Sequence, residues 1–152
     1  MHVLCNNAGV SGARGADNIS LQDWRWTIDV NLMGGVHGLK AFLPLLRSHG
    51  EGGHVVNTAS MAGFLAFGFG AYAATKFAVV GISEALAMEL EPQGIGVSVL
   101  CPGWVATHIT ESRRNLPKAT AHHRRAQSDR SQNRSRSSFA AEWPRAMSRR
   151  WC

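Results

Sequence analysis

Short β-branched runs alternate with longer stretches of helical period along the first 118 residues. His2-Val3-Leu4-Cys5-Asn6, Gly53-His54-Val55-Val56-Asn57-Thr58 and Gly96-Val97-Ser98-Val99-Leu100-Cys101 are each short and bounded by turn residues, as strands are. Between the first two, Ser20 offers a helix cap with Asp23 three residues later. Trp24, Ile28, Leu32, Val36, Leu39, Leu43 and Leu46 then mark one apolar face. The pattern predicts one helix ending near Gly50 and bent at Pro44. A second helix is predicted from about Ala71 to Glu91, with Phe77, Val80, Ala85, Leu86 and Leu90 as its apolar positions and Pro92 and Gly94 as its stop. Strand and helix in this alternation imply right-handed crossovers and a parallel sheet, so the fold class is α/β.

Composition changes the picture at the end of the chain. Residues 1–118 hold eight Lys or Arg against eight Asp or Glu, whereas 119–152 hold eight Arg against Asp129 and Glu142, so the net charge of +6 comes from the tail. That Arg/Ser-rich tail has almost no aliphatic residues and no period, and it is expected to be disordered, with a boundary near Lys118. The organisation read from this is a single domain, 1–118, followed by a basic segment, 119–152. Apolar runs fall short of a bilayer span and the amino terminus lacks a signal pattern, which predicts a soluble, cytoplasmic protein without a membrane partner. Three scattered cysteines support neither a disulfide framework nor a zinc site, and Cys5 and Cys101 are expected to be small buried strand residues.

The candidate chemistry centres on Tyr72 and Lys76, which lie one turn apart at the start of the second helix and so share a face. A phenol titrates near pH 10, and a neighbouring ammonium favours its ionised form, which makes proton exchange with an alcohol or carbonyl oxygen feasible nearer neutrality. Taken singly, the other polar positions have ordinary readings. Asn6, Asn7 and Gly9 suit a turn after a strand, Ser60 a cap, and Pro102-Gly103 a loop.

Together, in this order, they resemble the short-chain dehydrogenase/reductase family. Tyr72-Ala73-Ala74-Thr75-Lys76 is similar to its catalytic helix segment, and Asn6-Asn7-Ala8-Gly9 to its signature after a central strand. Asp29-Val30-Asn31-Leu32 is similar to the helix segment whose asparagine organises a relay water. Asn57-Thr58-Ala59-Ser60 resembles the segment carrying the catalytic serine, and Pro102-Gly103-Trp104-Val105-Ala106-Thr107 the segment whose threonine holds the nicotinamide carboxamide. The resemblance spans roughly residues 3–112 and implies a partial Rossmann-like, doubly wound sheet with NAD or NADP as cofactor.

It further implies a division of tasks. Tyr72 exchanges a proton with the substrate oxygen, Lys76 lowers the tyrosine's pKa and holds the nicotinamide ribose, Ser60 hydrogen-bonds the substrate oxygen, and Asn31 holds a water. Asn6, Ala8, Gly9, Pro102, Gly103 and Thr107 line the cofactor, the substrate is a small alcohol or carbonyl compound, no metal is required, and an intact member forms homo-oligomers. Three departures qualify this. Ser60 and Tyr72 are twelve residues apart, about one fewer than the family's interval. The glycine-rich cofactor turn is not among the 152 residues, since Gly9, Gly12 and Gly15 follow a different strand at a different spacing. After Thr107 the Arg/Ser tail stands where the family continues with a substrate-covering helix and a last strand. The expectation is that the chain alone self-associates or misfolds and binds no dinucleotide at micromolar concentrations. The alternatives are a non-catalytic protein that acts through its basic tail on nucleic acid or another acidic surface, the less favoured reading, or one that pairs with an intact homologue.

Overall fold

Among the described residues three parallel strands form a sheet in the order β1-β2-β3: β1 Val3–Asn6, β2 Gly53–Thr58 and β3 Ile95–Leu100. The computed structural model describes residues 1–66 and 68–117; the basic segment 119–152 and the boundary at Lys118 lie outside the described residues. The register pairs Leu4 with Val55 and Val55 with Val97, which puts these three side chains on one face. Two long helices cover that face: α2 Gly34–Arg47 follows β1 through α1 Leu21–Ile28, and α3 Gly70–Leu90 joins β2 to β3. Leu43 and Leu46 of α2 and Leu90 of α3 meet Leu4, Val55 and Ile95 in the core.

The helix starting at Ser20 caps as expected, its Oγ accepting from the Asp23 N–H at 3.0 Å. It is not uniform, however. Asp29–Met33 form a π-helical turn in which the Gly34 N–H reaches back five residues to the Asp29 carbonyl. The helix continues through Pro44 to Arg47. Upstream of α2, the predicted stripe Trp24, Ile28 and Leu32 is only half-buried, whereas its polar neighbours Asp23, Thr27 and Asn31 are buried. The reason is docking: Asp23 takes an ion pair from Arg113 at 3.1 Å, and Asn31 binds the loop after β1.

In α3, Val80 and Leu90 are buried as expected, but Phe77 and Ala85 are exposed; Ala71, Ala73, Thr75, Lys76 and Ser83 complete the buried side. The segment Gly70–Gln93 is long and apolar enough to cross a bilayer, contrary to the expectation that no such run exists. Its contacts with the sheet and core make it a central helix of the α/β unit. A 3-10 turn at Glu91–Gln93 and a left-handed Gly94 (φ 67°) then feed β3. Cys5 is exposed on the face opposite the helices and Cys101 is half-buried, so the expectation of two buried cysteines fails. Alternation decides this, because Cys5 follows the inward Leu4 and turns outward.

Candidate active site

The carboxyl ends of the three parallel strands and the start of α3 bring most of the candidate residues to one side of the sheet. Lys76 is 3% exposed, and its Nζ donates to the Thr58 carbonyl at 2.8 Å, which ties α3 to the end of β2. The same ammonium lies 5.6 Å from the centroid of the Tyr72 ring. Burial pulls Lys76 down to about 8 from the usual 10.5, against a weaker upward pull from Cys101. Among the described residues no carboxylate pairs with it.

Asn31 sits beside this cation because the π-helical turn directs it inward. Its Oδ1 accepts from the Val10 N–H at 2.7 Å, and its Nδ2 donates to the Val10 carbonyl at 2.9 Å and to Thr75 Oγ1 at 3.2 Å. The amide therefore fixes the loop after β1 to the first turn of α3, where Thr75 also donates to the Tyr72 carbonyl at 2.7 Å. Gly9 closes the arrangement. A methyl built on it would stand 3.6 Å from both Asn31 Oδ1 and Lys76 Nζ, so both polar atoms border the space that its missing side chain leaves.

Ser60 follows β2 in an extended conformation. Its Oγ caps the short 3-10 turn Met61–Gly63 by accepting from the Ala62 N–H at 3.1 Å, and donates to the Pro102 carbonyl at 3.4 Å. The Met61 N–H reaches the same carbonyl at 2.9 Å, so Ser60 and Pro102 are neighbours after adjacent strands. Gly103 and Thr107 are exposed, and Thr107 Oγ1 caps the 3-10 segment His108–Asn115. Ala8 is exposed, and Asn6 is half-buried with its Nδ2 donating to Asn57 Oδ1 at 2.9 Å.

Several supporting residues escaped the sequence reading. Asn57 Nδ2 donates to Ser83 Oγ at 2.9 Å, which extends the Asn6 link from the sheet into α3. Gly63 packs so tightly on α3 that a methyl there would lie 3.0 Å from the Lys76 carbonyl. The Gly15 N–H binds the Gly68 carbonyl at 3.0 Å and the Gly70 N–H binds the Gly15 carbonyl at 3.2 Å, fixing the approach to Tyr72. Residues 108–115 also dock on the loop after β1, where Ser112 Oγ accepts from the Ser11 N–H at 3.0 Å. Polar residues flanked by apolar ones, such as Asn57 after Val55 and Val56, were the available signal; pairings across fifty or a hundred residues had none.

Comparison with known proteins agrees with this geometry. The family model for short chain dehydrogenase matches residues 1–117. C alpha-dehydrogenase of Sphingobium sp. is 35% identical over 116 residues, covering 76% of this chain and 38% of that protein. 1-deoxy-11-beta-hydroxypentalenate dehydrogenase of Streptomyces avermitilis is 40% identical over 111 residues, covering 71% and 41%. A short chain dehydrogenase/reductase of Burkholderia phymatum in complex with NAD superimposes with a TM-score of 0.75 at 42% identity, over 78% of this chain and 43% of that one. A short chain dehydrogenase of Burkholderia cenocepacia in complex with NADP gives 0.65 at 28% identity, over 77% and 48%. The chain thus spans about two fifths of the length of these curated relatives. By its matched family model, its relatives and its parallel sheet, this chain belongs to the short chain dehydrogenase family.

Proposed function

We propose that these residues form the catalytic part of an oxidoreductase that interconverts a small alcohol and its carbonyl compound with NAD or NADP. The observation that carries this reading is the buried Lys76 ammonium, held by one backbone carbonyl one turn beyond Tyr72. An ammonium has three donors, so two remain for hydroxyl groups beside the space at Gly9. That incompletely bonded cation fits the nicotinamide ribose. The bound nicotinamide supplies or accepts the hydride.

The chain's own groups handle the proton. Tyr72 Oη exchanges it with the substrate oxygen, and the positive charge of Lys76 stabilises the phenolate that results. Ser60 Oγ, kept near Pro102, hydrogen-bonds the same oxygen. Asn31 positions the loop that carries Gly9, and the second lone pair of its Oδ1 holds a water that bridges to Lys76 and returns the proton to Tyr72. Ala8, Gly9, Pro102, Gly103 and Thr107 border the cofactor in this reading, and Asn6 braces the strand beneath it. Exposed Phe42 and Leu45 on α2 and Phe77 and Met88 on α3 support a homo-oligomeric assembly of the intact enzyme. The test is Tyr72→Phe in a chimera that carries the glycine-rich cofactor segment of a close homologue ahead of this chain: turnover falls about a thousandfold while cofactor affinity stays within a few-fold. Wild-type turnover in that variant would overturn the mechanism.

A further inference from the structure

At the opposite end of the sheet, where the strands begin, three metal-ligating side chains converge that the proposed reaction does not use. His2 precedes β1, and His49 and Glu51 lie in the turn that leads from α2 into β2. Strand pairing brings them together: Val3 is opposite His54, and the His54 N–H donates to the His2 carbonyl at 2.8 Å. The turn is shaped by two left-handed glycines, Gly50 at φ 68° and Gly52 at φ 78°. A methyl on Gly52 would come within 2.5 Å of the Gly94 carbonyl, so the turn is held against the entry to β3 as well.

Within this frame His2 Nε2 donates to Glu51 Oε2 at 2.7 Å, and the two imidazole rings lie 4.4 Å apart between centroids. His49 Nε2 donates to the Met1 carbonyl at 2.7 Å, which fixes its tautomer and makes Nδ1 the lone-pair nitrogen. That nitrogen takes only a long 3.2 Å contact from the Glu51 N–H. One ligand atom from each of the three side chains lies within 4.8 Å of the others. Two ligands on a tetrahedral zinc stand about 3.3 Å apart, so the widest pair closes by roughly 1.5 Å. Exposed side chains reach that by torsional rotation, since His2 and Glu51 have 61% and 68% of their side chains exposed.

We infer that His2, His49 and Glu51 form a binding site for a late first-row divalent cation, with zinc(II) as the type. Two imidazoles and one carboxylate suit zinc or nickel and are a poor set for magnesium or calcium, which take oxygen ligands. The cation replaces the proton shared by His2 and Glu51 and leaves at least one position to water. Its place among the strand starts, away from the strand ends that carry Ser60 and Pro102, makes it a clamp between β1 and the turn into β2. The site takes no part in hydride transfer.

Calorimetric titration of the full, tag-free chain with zinc chloride tests this, with His122 and His123 both replaced by Ala to remove the remaining adjacent histidine pair. One zinc per chain with micromolar affinity is expected. His2→Ala, His49→Ala and Glu51→Gln should each weaken it at least tenfold. Glu51→Gln preserves shape at an exposed position, so its loss of binding cannot be ascribed to unfolding. Cobalt(II), read by its visible d–d absorption, reports the same site whether the chain is monomeric or associated. Absence of zinc binding, or a cobalt band that persists unchanged in Glu51→Gln, would overturn the site.

Discussion

The two ends of this parallel sheet hold basic side chains in opposite surroundings. At the strand ends Lys76 is buried, has one carbonyl partner and is driven by burial toward a pKa of about 8. At the strand starts exposed His2 and half-buried His49 stand beside Glu51, whose carboxyl they hold below its usual range, chiefly through the His2 hydrogen bond and charge. A buried, under-partnered cation is costly to the fold and useful for proton chemistry; an imidazole beside a carboxylate at the surface is cheap and open to a metal ion. The difference is one of neighbours more than of residue type.

The sharpest way to break this contrast is at Lys76. In the chimera bearing a homologue's glycine-rich cofactor segment, Lys76→Met should cut turnover by about a thousandfold or more, because it removes both the charge beside Tyr72 and the ribose donor. Steady-state kinetics that show less than a tenfold loss would place the proton chemistry elsewhere.

Asn31→Ala comes next. It removes the bonds to Val10 N–H and carbonyl and to Thr75 Oγ1 from a buried site, and unfolding in urea should show a loss of about 3 kcal/mol. A change below about 1 kcal/mol would mean the loop after β1 is held by other contacts.

Lys76 also gives a pH dependence whose sign is fixed by burial. Its folded pKa lies below its unfolded one, so the unfolded chain binds the extra proton between about pH 8 and 10.5, and stability must rise across that window. The gain is up to about 3 kcal/mol relative to Lys76→Met, which lacks the titration. Melts of both proteins at the two ends of the window measure it; parallel curves would show that the cation is well solvated.

Gly9→Ala probes the space between Asn31 and Lys76 more gently. The added methyl meets both polar atoms at ordinary contact distance, so stability should hardly change while turnover falls about tenfold as the bridging water is excluded. Unaltered turnover would remove the water from the mechanism. The smallest effect belongs to the other end of the sheet: without metal, Glu51→Gln should leave the melting midpoint unchanged, because the pair it breaks is exposed.

Much of this architecture was legible in the chain. Period and punctuation placed all three strands and the span of α3, and the Ser20 cap announced the start of α1. Tyr72 and Lys76 were readable as neighbours because four residues make just over one helical turn, a local fact independent of the rest of the fold. The misread stripe along α1 and the π-helical turn shows where local reasoning ended. Trp24, Ile28 and Leu32 carry the hydrophobic signal, yet Asp23, Thr27 and Asn31 are buried, since Arg113 and Val10 arrive from distant parts of the chain to satisfy two of them. Cys5 is a similar case, apolar in character but turned outward by strand alternation.

The sequence by itself determined the alternation of strands and helices, the parallel α/β class, and the order of segments that resembles one enzyme family. Each depends on spacing along the chain, which needs no distant partner. Only the tertiary structure decided that Lys76 is buried on the Thr58 carbonyl, that the amide of Asn31 is bonded to Val10 and Thr75, and that His2 meets His49 and Glu51. Those contacts join residues tens of positions apart, and strand register and burial set them, quantities fixed when the whole core packs at once.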